Sequence, residues 1–307
     1  MAEAETKHKE KDAAPFRSGT IAIIGRPNVG KSTLLNQILG EKVAIVSPRP
    51  QTTRNRITGI RTTESSQIIF LDTPGIHQSH SLINRRMVDT ALQALDEVDG
   101  VIWLLDAHDR IKQEEERIAE TLRGVETPVL ILLNKIDLVS KGKLLPLMEQ
   151  CAKLLPGKEI VPVSALMGDG VPILLEIVEK WLAEGEPIFT GGEYTDQTER
   201  FLASELIREK IFNLTREEIP YGVAVTIDEF NEQEAKNLIV ISATIHTERD
   251  SHKGILIGKR GAMLKEIGKG AREELEKIMG CRVFLELFIR VDANWTKNPN
   301  LLAEMGL

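Results

Sequence analysis

The stretch Gly25-Arg26-Pro27-Asn28-Val29-Gly30-Lys31-Ser32 constrains this chain more than any other feature. It follows an apolar run at 21–24 and precedes a helical pattern that starts near Lys31. A glycine-rich turn spaced G-x-x-x-x-G-K-S between a strand and a helix aims backbone N–H groups at phosphate oxygens, and the helix N-terminus adds positive potential. Lys31 stands where it can bridge terminal phosphates, and the Ser32 hydroxyl can ligate Mg2+. Gly25, Asn28, Val29, Gly30 and Thr33 complete the expected phosphate cradle. The alternative, a purely structural glycine turn, lacks a reason for the flanking strand and helix.

Further apolar runs at 68–71, 101–105, 129–133 and 160–163 are short and rich in Ile, Val and Leu, the pattern of strands buried on both faces. Helical spacing follows them, as in Val171, Leu174, Leu175, Val178 and Leu182. This alternation predicts an α/β domain over 18–183, a mostly parallel sheet with helices on both faces. Segments 57–61 and 68–71 read as a hairpin at its edge. Glycine, proline and acids crowd residues 184–199, a linker. Beyond it the order changes: helical spacing at 201–214, strands at 221–229 and 238–247, two short helices around a glycine pair within 254–280, and a strand at 283–291. That predicts a small α+β domain over 200–307, ending in a C-terminal tail.

The 307 residues accommodate two such domains, and their formal charge of −7 excludes a basic footprint over the whole molecule. Any nucleic-acid surface must be local. Cys151 and Cys281 form no C-x-x-C pair and are expected to be small buried hydrophobes in a reducing compartment. No apolar run approaches the roughly 20 residues that span a bilayer. Residues 1–17 are expected to form a disordered tail, and the protein is expected in the cytoplasm.

Asp72-Thr73-Pro74-Gly75 closes the 68–71 strand. An acid there can hold Mg2+, and the glycine offers a backbone N–H and a pivot near a terminal phosphate. Asn134-Lys135-Ile136-Asp137 closes the 129–133 strand. The Asp137 carboxylate can accept two parallel hydrogen bonds from guanine, whereas adenine would leave it unpaired, so it selects GTP over ATP. Ser164-Ala165, after the next strand, can present a backbone N–H to the guanine oxygen.

With these four motifs in this order, the chain resembles the translation-factor-related class of small GTPases. The resemblance implies a threonine that closes over Mg2+ and the terminal phosphate. Gln51-Thr52-Thr53-Arg54 is the candidate segment, and Thr53 is preferred over Thr52 by likeness to related T-T-R segments. Many GTPases orient the attacking water with a glutamine just past D-x-x-G. Here that position is Ile76, which cannot do so, and His77 reads as a solvated loop residue. Lys31, Thr53, Gly75 and Asn28 are then the catalytic candidates, with slow turnover expected. Relatives with an asparagine at the position of Asn28 use a potassium ion, which makes K+ a candidate cofactor beside GTP/GDP and Mg2+.

Ile257-Gly258-Lys259-Arg260-Gly261 is the second strong motif. A G-x-x-G turn with basic residues inside lets a sugar-phosphate backbone approach closely, and Lys265 lies just beyond it. Residues 252–282 hold eight Lys or Arg and four acids, a local charge of +4 on an acidic chain. The element order resembles the bacterial type of KH domain. A GTPase followed by one KH domain resembles the Era-like family, and the likeness extends to the ending Asn294-Trp295 and 301–307. Membership implies binding near the 3′ end of small-subunit ribosomal RNA, a role in maturation of the small ribosomal subunit, and loose association with the inner membrane face. The expected protein is a monomeric, nucleotide-gated RNA-binding switch. Two rivals stand beside it: an RNA-binding module on an idle GTPase fold, and a GTPase whose KH-like domain is only an interaction platform.

Overall fold

The computed structural model describes residues 15–47, 49–77 and 81–307; the tail expected over 1–17 lies, up to residue 14, outside the described residues. The first domain contains β1 (Arg17–Gly25), α1 (Lys31–Leu39), β2 (Ile57–Thr62), β3 (Ser66–Asp72), α2 (Leu82–Gln93), β4 (Gly100–Asp106) and α3 (Gln113–Arg123). It continues with β5 (Val129–Asn134), α4 (Lys141–Leu154), β6 (Glu159–Pro162), α5 (Val171–Glu179) and the short β7 (Ala183–Glu184). The main sheet runs β2-β3-β1-β4-β5-β6. Only the β2–β3 hairpin departs from parallel pairing along that path, and it forms one edge. Alternation along β1 explains the layering: Ile21 and Ile23 enter one hydrophobic cluster, Ala22 and Ile24 the cluster on the opposite face. All the phosphate and base motifs therefore leave the carboxyl ends of buried strands, where an open α/β sheet leaves a crevice.

The tail and linker boundaries need correction. Arg17, expected to end the tail, opens β1 and pairs with Ser66 on one side and Glu184 on the other. The linker over 184–199 is also tied down. Gln67 accepts from the Ile188 and Phe189 amides at 2.7 and 2.9 Å, and Ile60 N–H donates to Tyr194 O at 2.8 Å. The free backbone groups of edge strand β2 and the buried Gln67 amide find their partners in this segment.

The second domain contains α6 (Glu199–Leu214), β8 (Val223–Gln233), β9 (Leu238–Thr247), α7 (Asp250–Ile257), α8 (Ala262–Met279), β10 (Arg282–Val291) and α9 (Pro299–Glu304). Its sheet order is β10-β9-β8, with β10 parallel to β9 and β8 antiparallel to it. β8 starts after a 3-10 turn at Pro220–Gly222 and runs on to Gln233, because β9 continues to pair with it. α8 is one helix of 18 residues, not a short one: its buried stripe Ile267, Ala271, Leu275 continues through Gly268 and Gly270. The C-terminal tail is folded. Trp295 and Leu302 join Ile83 and Met87 of α2 in a common cluster, and Arg86 donates to Leu307 O at 2.6 Å. Cys151 is buried as expected, while Cys281 is only partly so.

Candidate functional site

The phosphate turn is set by three positions of positive φ, two of which have no room for a side chain. A Cβ on Gly25, at φ +152°, would lie 2.6 Å from Leu104 O, one on Gly30, at φ +101°, would collide with the Asn134 amide, and Asn28 itself sits at φ +64°. α1 then begins with neither a side-chain cap nor an acid in its first turn. Its first amides are thus available to an anion. Lys31 is buried, and its Nζ donates to Gly25 O at 3.2 Å and Arg26 O at 3.0 Å. Burial pulls its pKa down to about 8, opposed by Asp72. The ammonium has exchanged water for two carbonyls, and a phosphate is the partner that would restore its full charge preference.

Three oxygens converge beside it. Ser32 Oγ donates to Asp72 Oδ2 at 2.6 Å and lies 2.9 Å from Thr53 Oγ1. Asp72 is fully buried, and burial pushes its pKa up to about 6 against the pull of Lys31, Ser32 and Thr53. Its Oδ1 is buried and has no hydrogen-bond partner among the described residues. A hard, oxygen-seeking divalent cation fits this set: two hydroxyls, a carboxylate oxygen in want of a partner, and room for phosphate oxygens alongside. Thr52, the other candidate, turns away and donates to Arg49 O at 2.8 Å. Gly75 packs against the phosphate turn so closely that a Cβ would lie 2.5 Å from Pro27 N. Ile76 N–H reaches Gly25 O at 3.1 Å, which ties the two phosphate-facing loops together.

His77 is not simply solvated. Its Nδ1 is 2.8 Å from Gly75 O and its Nε2 is 3.0 Å from Gln51 Nε2. Since the carbonyl can only accept and the amide nitrogen only donate, the ring carries its proton on Nδ1. It staples the 49–54 segment to the 72–77 loop.

At the base end, Asn134 Nδ2 donates to Val29 O at 2.7 Å, while its Oδ1 accepts from Ala165 N at 2.9 Å. Lys135, at φ +65°, donates to Asn28 O at 2.7 Å and to Asp106 at 2.6 Å. Asp137 is exposed, and its Oδ1 accepts from Ser164 Oγ at 2.6 Å. Ser164-Ala165 lies beside Asp137 and Asn134. Both amides are engaged inside the protein, Ser164 N with Asp169 O at 2.9 Å and Ala165 N with Asn134. The pair orients Asp137 through the Ser164 hydroxyl, and Asn134 through the Ala165 amide, a backbone donor at a buried strand end that must find a partner.

In the second domain the turn is built on Gly258 (φ +71°), Arg260 (φ +53°) and Gly261 (φ +78°). A Cβ on Gly258 would sit 2.7 Å from Met263 Cβ, so glycine is required for close packing as well as for φ. Lys259, Arg260 and Lys265 are exposed. A groove follows the turn, lined by Gly261, Leu264, Lys265 and Gly268 with Leu285 and Leu287 of β10, and rimmed by Lys269 and Arg272. Ile257 is half-buried at the end of α7 and does not line it. The added positions recur every three or four residues along α8, a helical stripe that the sequence displays once the helix is known to be long.

These two sites define a P-loop GTPase domain followed by a KH domain. The family description 50S ribosome-binding GTPase matches residues 20–135, and the KH domain description matches 218–296. GTPase Era of Geobacter metallireducens is 52 % identical over 292 residues, covering 95 % of this chain and 98 % of the relative. Era of Syntrophus aciditrophicus is 53 % identical over 291 residues, 95 % of each chain. Two crystal structures align with TM-score 0.91 and 42 % identity over 95 % of this chain and 99 % of theirs. One is a variant of Aquifex aeolicus Era bound to GDP.AlF4-, the other is Era in complex with MgGDPNP and nucleotides 1506–1542 of 16S ribosomal RNA. The chain belongs to the GTPase Era family, and it is a GTPase.

Proposed function

We propose that this chain is a Mg2+-dependent GTP switch that binds the 3′ end of small-subunit ribosomal RNA and acts in maturation of the small ribosomal subunit. The observation that carries it is the meeting of Ser32, Thr53 and Asp72 at a buried, unpartnered carboxylate oxygen beside Lys31. In this reading, units 18–183 and 200–307 divide the work. Gly25, Asn28, Val29, Gly30, Lys31, Ser32 and Thr33 hold the phosphates, while Asn134, Lys135 and Asp137, set by Ser164 and Ala165, hold guanine. Bound Mg2+ supplies positive charge at the terminal phosphate oxygens. Lys31 neutralises charge that develops in the transition state, and the Gly75 amide fixes the loop over the terminal phosphate. Ile76 cannot orient water, so turnover is slow. Asn28 contributes to a K+ site; equal turnover in sodium and potassium would remove that element.

The KH side draws support from the exposed Lys259 and Arg260 on a tight backbone turn, and from the related Era complex with nucleotides 1506–1542 of 16S ribosomal RNA. GTP orders the segments around Thr53 and 72–75, the KH domain holds RNA in that state, and hydrolysis releases it. The chain works as a cytoplasmic monomer with loose attachment to the inner membrane face, which light scattering and vesicle co-sedimentation check. Among the described residues no helix is long and apolar enough to cross a membrane. The deciding experiment measures hydrolysis with and without the 3′-terminal segment, and RNA affinity with GDP and with a non-hydrolysable GTP analogue. Stimulated hydrolysis and tighter binding in the GTP state support the switch; indifference in both refutes it.

A further inference from the structure

The segment that carries Thr53 is anchored mainly on the other domain. Ile45 is buried within a KH-domain cluster with Ala203, Leu206, Ile241 and Leu275. Val46 N–H donates to Glu209 Oε1 at 2.9 Å, and Lys42 pairs with Glu209 at 2.7 Å and also with Glu274. At the far end Arg54 is buried. Its Nη1 donates to Val223 O at 2.7 Å, and its Nη2 to Tyr221 O at 2.9 Å and Pro220 O at 3.3 Å. The guanidinium also lies 5.9 Å from the ring of Trp295, whose Nε1 donates to Gly222 O at 3.1 Å. Between them Arg208 of α6, itself buried and held by Glu205, donates to Thr52 O. Thr53 faces the opposite way, onto Ser32. The carbonyl before it and the side chain after it are thus gripped by the KH domain, while its hydroxyl serves the phosphate site.

Burying two guanidiniums together is unfavourable: desolvation and the neighbouring Arg208 both pull the Arg54 pKa down, with Glu205 acting against them. Such an arrangement persists only where the geometry is over-determined by hydrogen bonds, and four main-chain carbonyls supply them here.

We propose that Arg54 and Arg208 are positioning residues for GTP hydrolysis, through which the KH domain sets the place of Thr53, so that the Mg2+ side of the phosphate site is complete only while the KH domain is docked. This rests on the role proposed for Thr53. It makes RNA binding and nucleotide state two loads on one short peptide: whatever shifts the 220–223 carbonyls or α6 withdraws Thr53 from Ser32. Guanine and the inner phosphates, held by the first domain alone, are untouched.

The test uses the full chain and the variants Arg208→Ala, Arg208→Lys, Arg54→Ala, Arg54→Lys and Thr53→Ala, with affinities for Mg2+–GTP analogue and for GDP measured beside single-turnover hydrolysis. Arg208→Ala and Arg54→Lys are expected to lose about tenfold or more in analogue affinity and hydrolysis, with GDP affinity within about twofold of wild type. Arg208→Lys should recover most of the loss, because one ammonium can meet the single Thr52 carbonyl. Arg54→Lys should not recover, because one ammonium cannot reach three diverging carbonyls. Combining Arg208→Ala with Thr53→Ala should cost no more than Thr53→Ala alone. Additive losses, or equal losses for GDP and the analogue, overturn the proposal. Should Arg54→Ala fail to fold, the Arg208 pair decides the matter. If Thr53→Ala is itself silent, the role of Thr53 fails; if it is impaired while Arg208→Ala is not, only this inference fails.

Discussion

Replacing Gly75 by alanine adds a single methyl where the structure has no space for it. The new Cβ would lie 2.5 Å from Pro27 N, 2.6 Å from Pro27 Cγ and 2.7 Å from Pro27 Cα. Two of these are main-chain atoms, so no side-chain rotation relieves the clash. Restoring ordinary contact near 3.4 Å requires about 0.9 Å of relative movement between the 72–77 loop and the phosphate turn. A displacement near 1 Å at a reacting centre costs roughly a hundredfold in rate, or about 2.7 kcal/mol in the barrier. Single-turnover hydrolysis should therefore fall by about two orders of magnitude. GDP affinity reports which side has moved: unchanged if the 72–77 loop retreats, weakened if the phosphate turn retreats. Thermal stability should drop by only a degree or two, since the loop can shift outward. Hydrolysis within about threefold of wild type would refute the argument that contact between Gly75 and Pro27 fixes the loop over the terminal phosphate.

Four further outcomes are expected. Asp72 must be ionised to meet a cation and is held at about 6 by burial. Mg2+ affinity in the nucleotide complex should therefore fall by up to a decade per pH unit as pH drops below about 6, as titration calorimetry can follow. Without metal the sign reverses. A carboxyl raised above its unfolded value contributes stability below that value and loses it as pH climbs through about 6. Asp72→Asn should accordingly stabilise the metal-free chain at pH 7 by roughly 2–3 kcal/mol in denaturant titrations. Asp137→Asn places an amide donor against the guanine amino group and a matching donor against the extra oxygen of xanthine. The preference should swing toward xanthosine nucleotides by roughly 10⁴-fold, measured by competition. Changing Lys259 and Arg260 together to Glu should weaken single-stranded RNA binding and flatten its log–log salt dependence by about 1.4, two phosphates' share.

The places of the residues proposed to hold phosphate and base were legible because each motif sits at a strand end that burial alone marks out. Runs at 21–24, 68–71 and 129–133 could be read as strands without knowing the fold, and the residues just after them had to face the crevice. Thr53 was legible only by likeness, since no periodicity distinguishes it from Thr52. Its side chain is assigned by the contact with Ser32, across 21 residues. His77 was misread because its partners, Gln51 and Gly75, come from two loops whose approach the local pattern does not encode. Arg54 entered only as part of the T-T-R likeness, and nothing in the sequence marked Arg208 or the contact between the two. A buried arginine looks like a surface one until the carbonyls that accept from it are in place, and those lie 166 to 169 residues away for Arg54. The groove residues on α8 beyond Lys265 were not singled out, because the stretch after the turn at 258–261 reads as a short helix whose buried face the sequence alone does not separate from its groove face.

The charge of −7 poses a problem for a chain whose two sites both face polyanions. The two sites solve it differently. The phosphate turn spends almost no net charge: it relies on main-chain amides fixed by Gly25 and Gly30, with one lysine made more responsive by burial. Such a site gains its affinity from geometry, so salt should affect it little and a displaced loop should affect it strongly. In the proposed reading the KH turn does the reverse, presenting exposed Lys259, Arg260 and Lys265 beside an open groove, where affinity is sensitive to salt and tolerant of small shifts. A signal from the tolerant site to the exacting one therefore needs a rigid link. The buried Arg54, bonded to three carbonyls of the KH domain and adjacent in sequence to Thr53, has that rigidity.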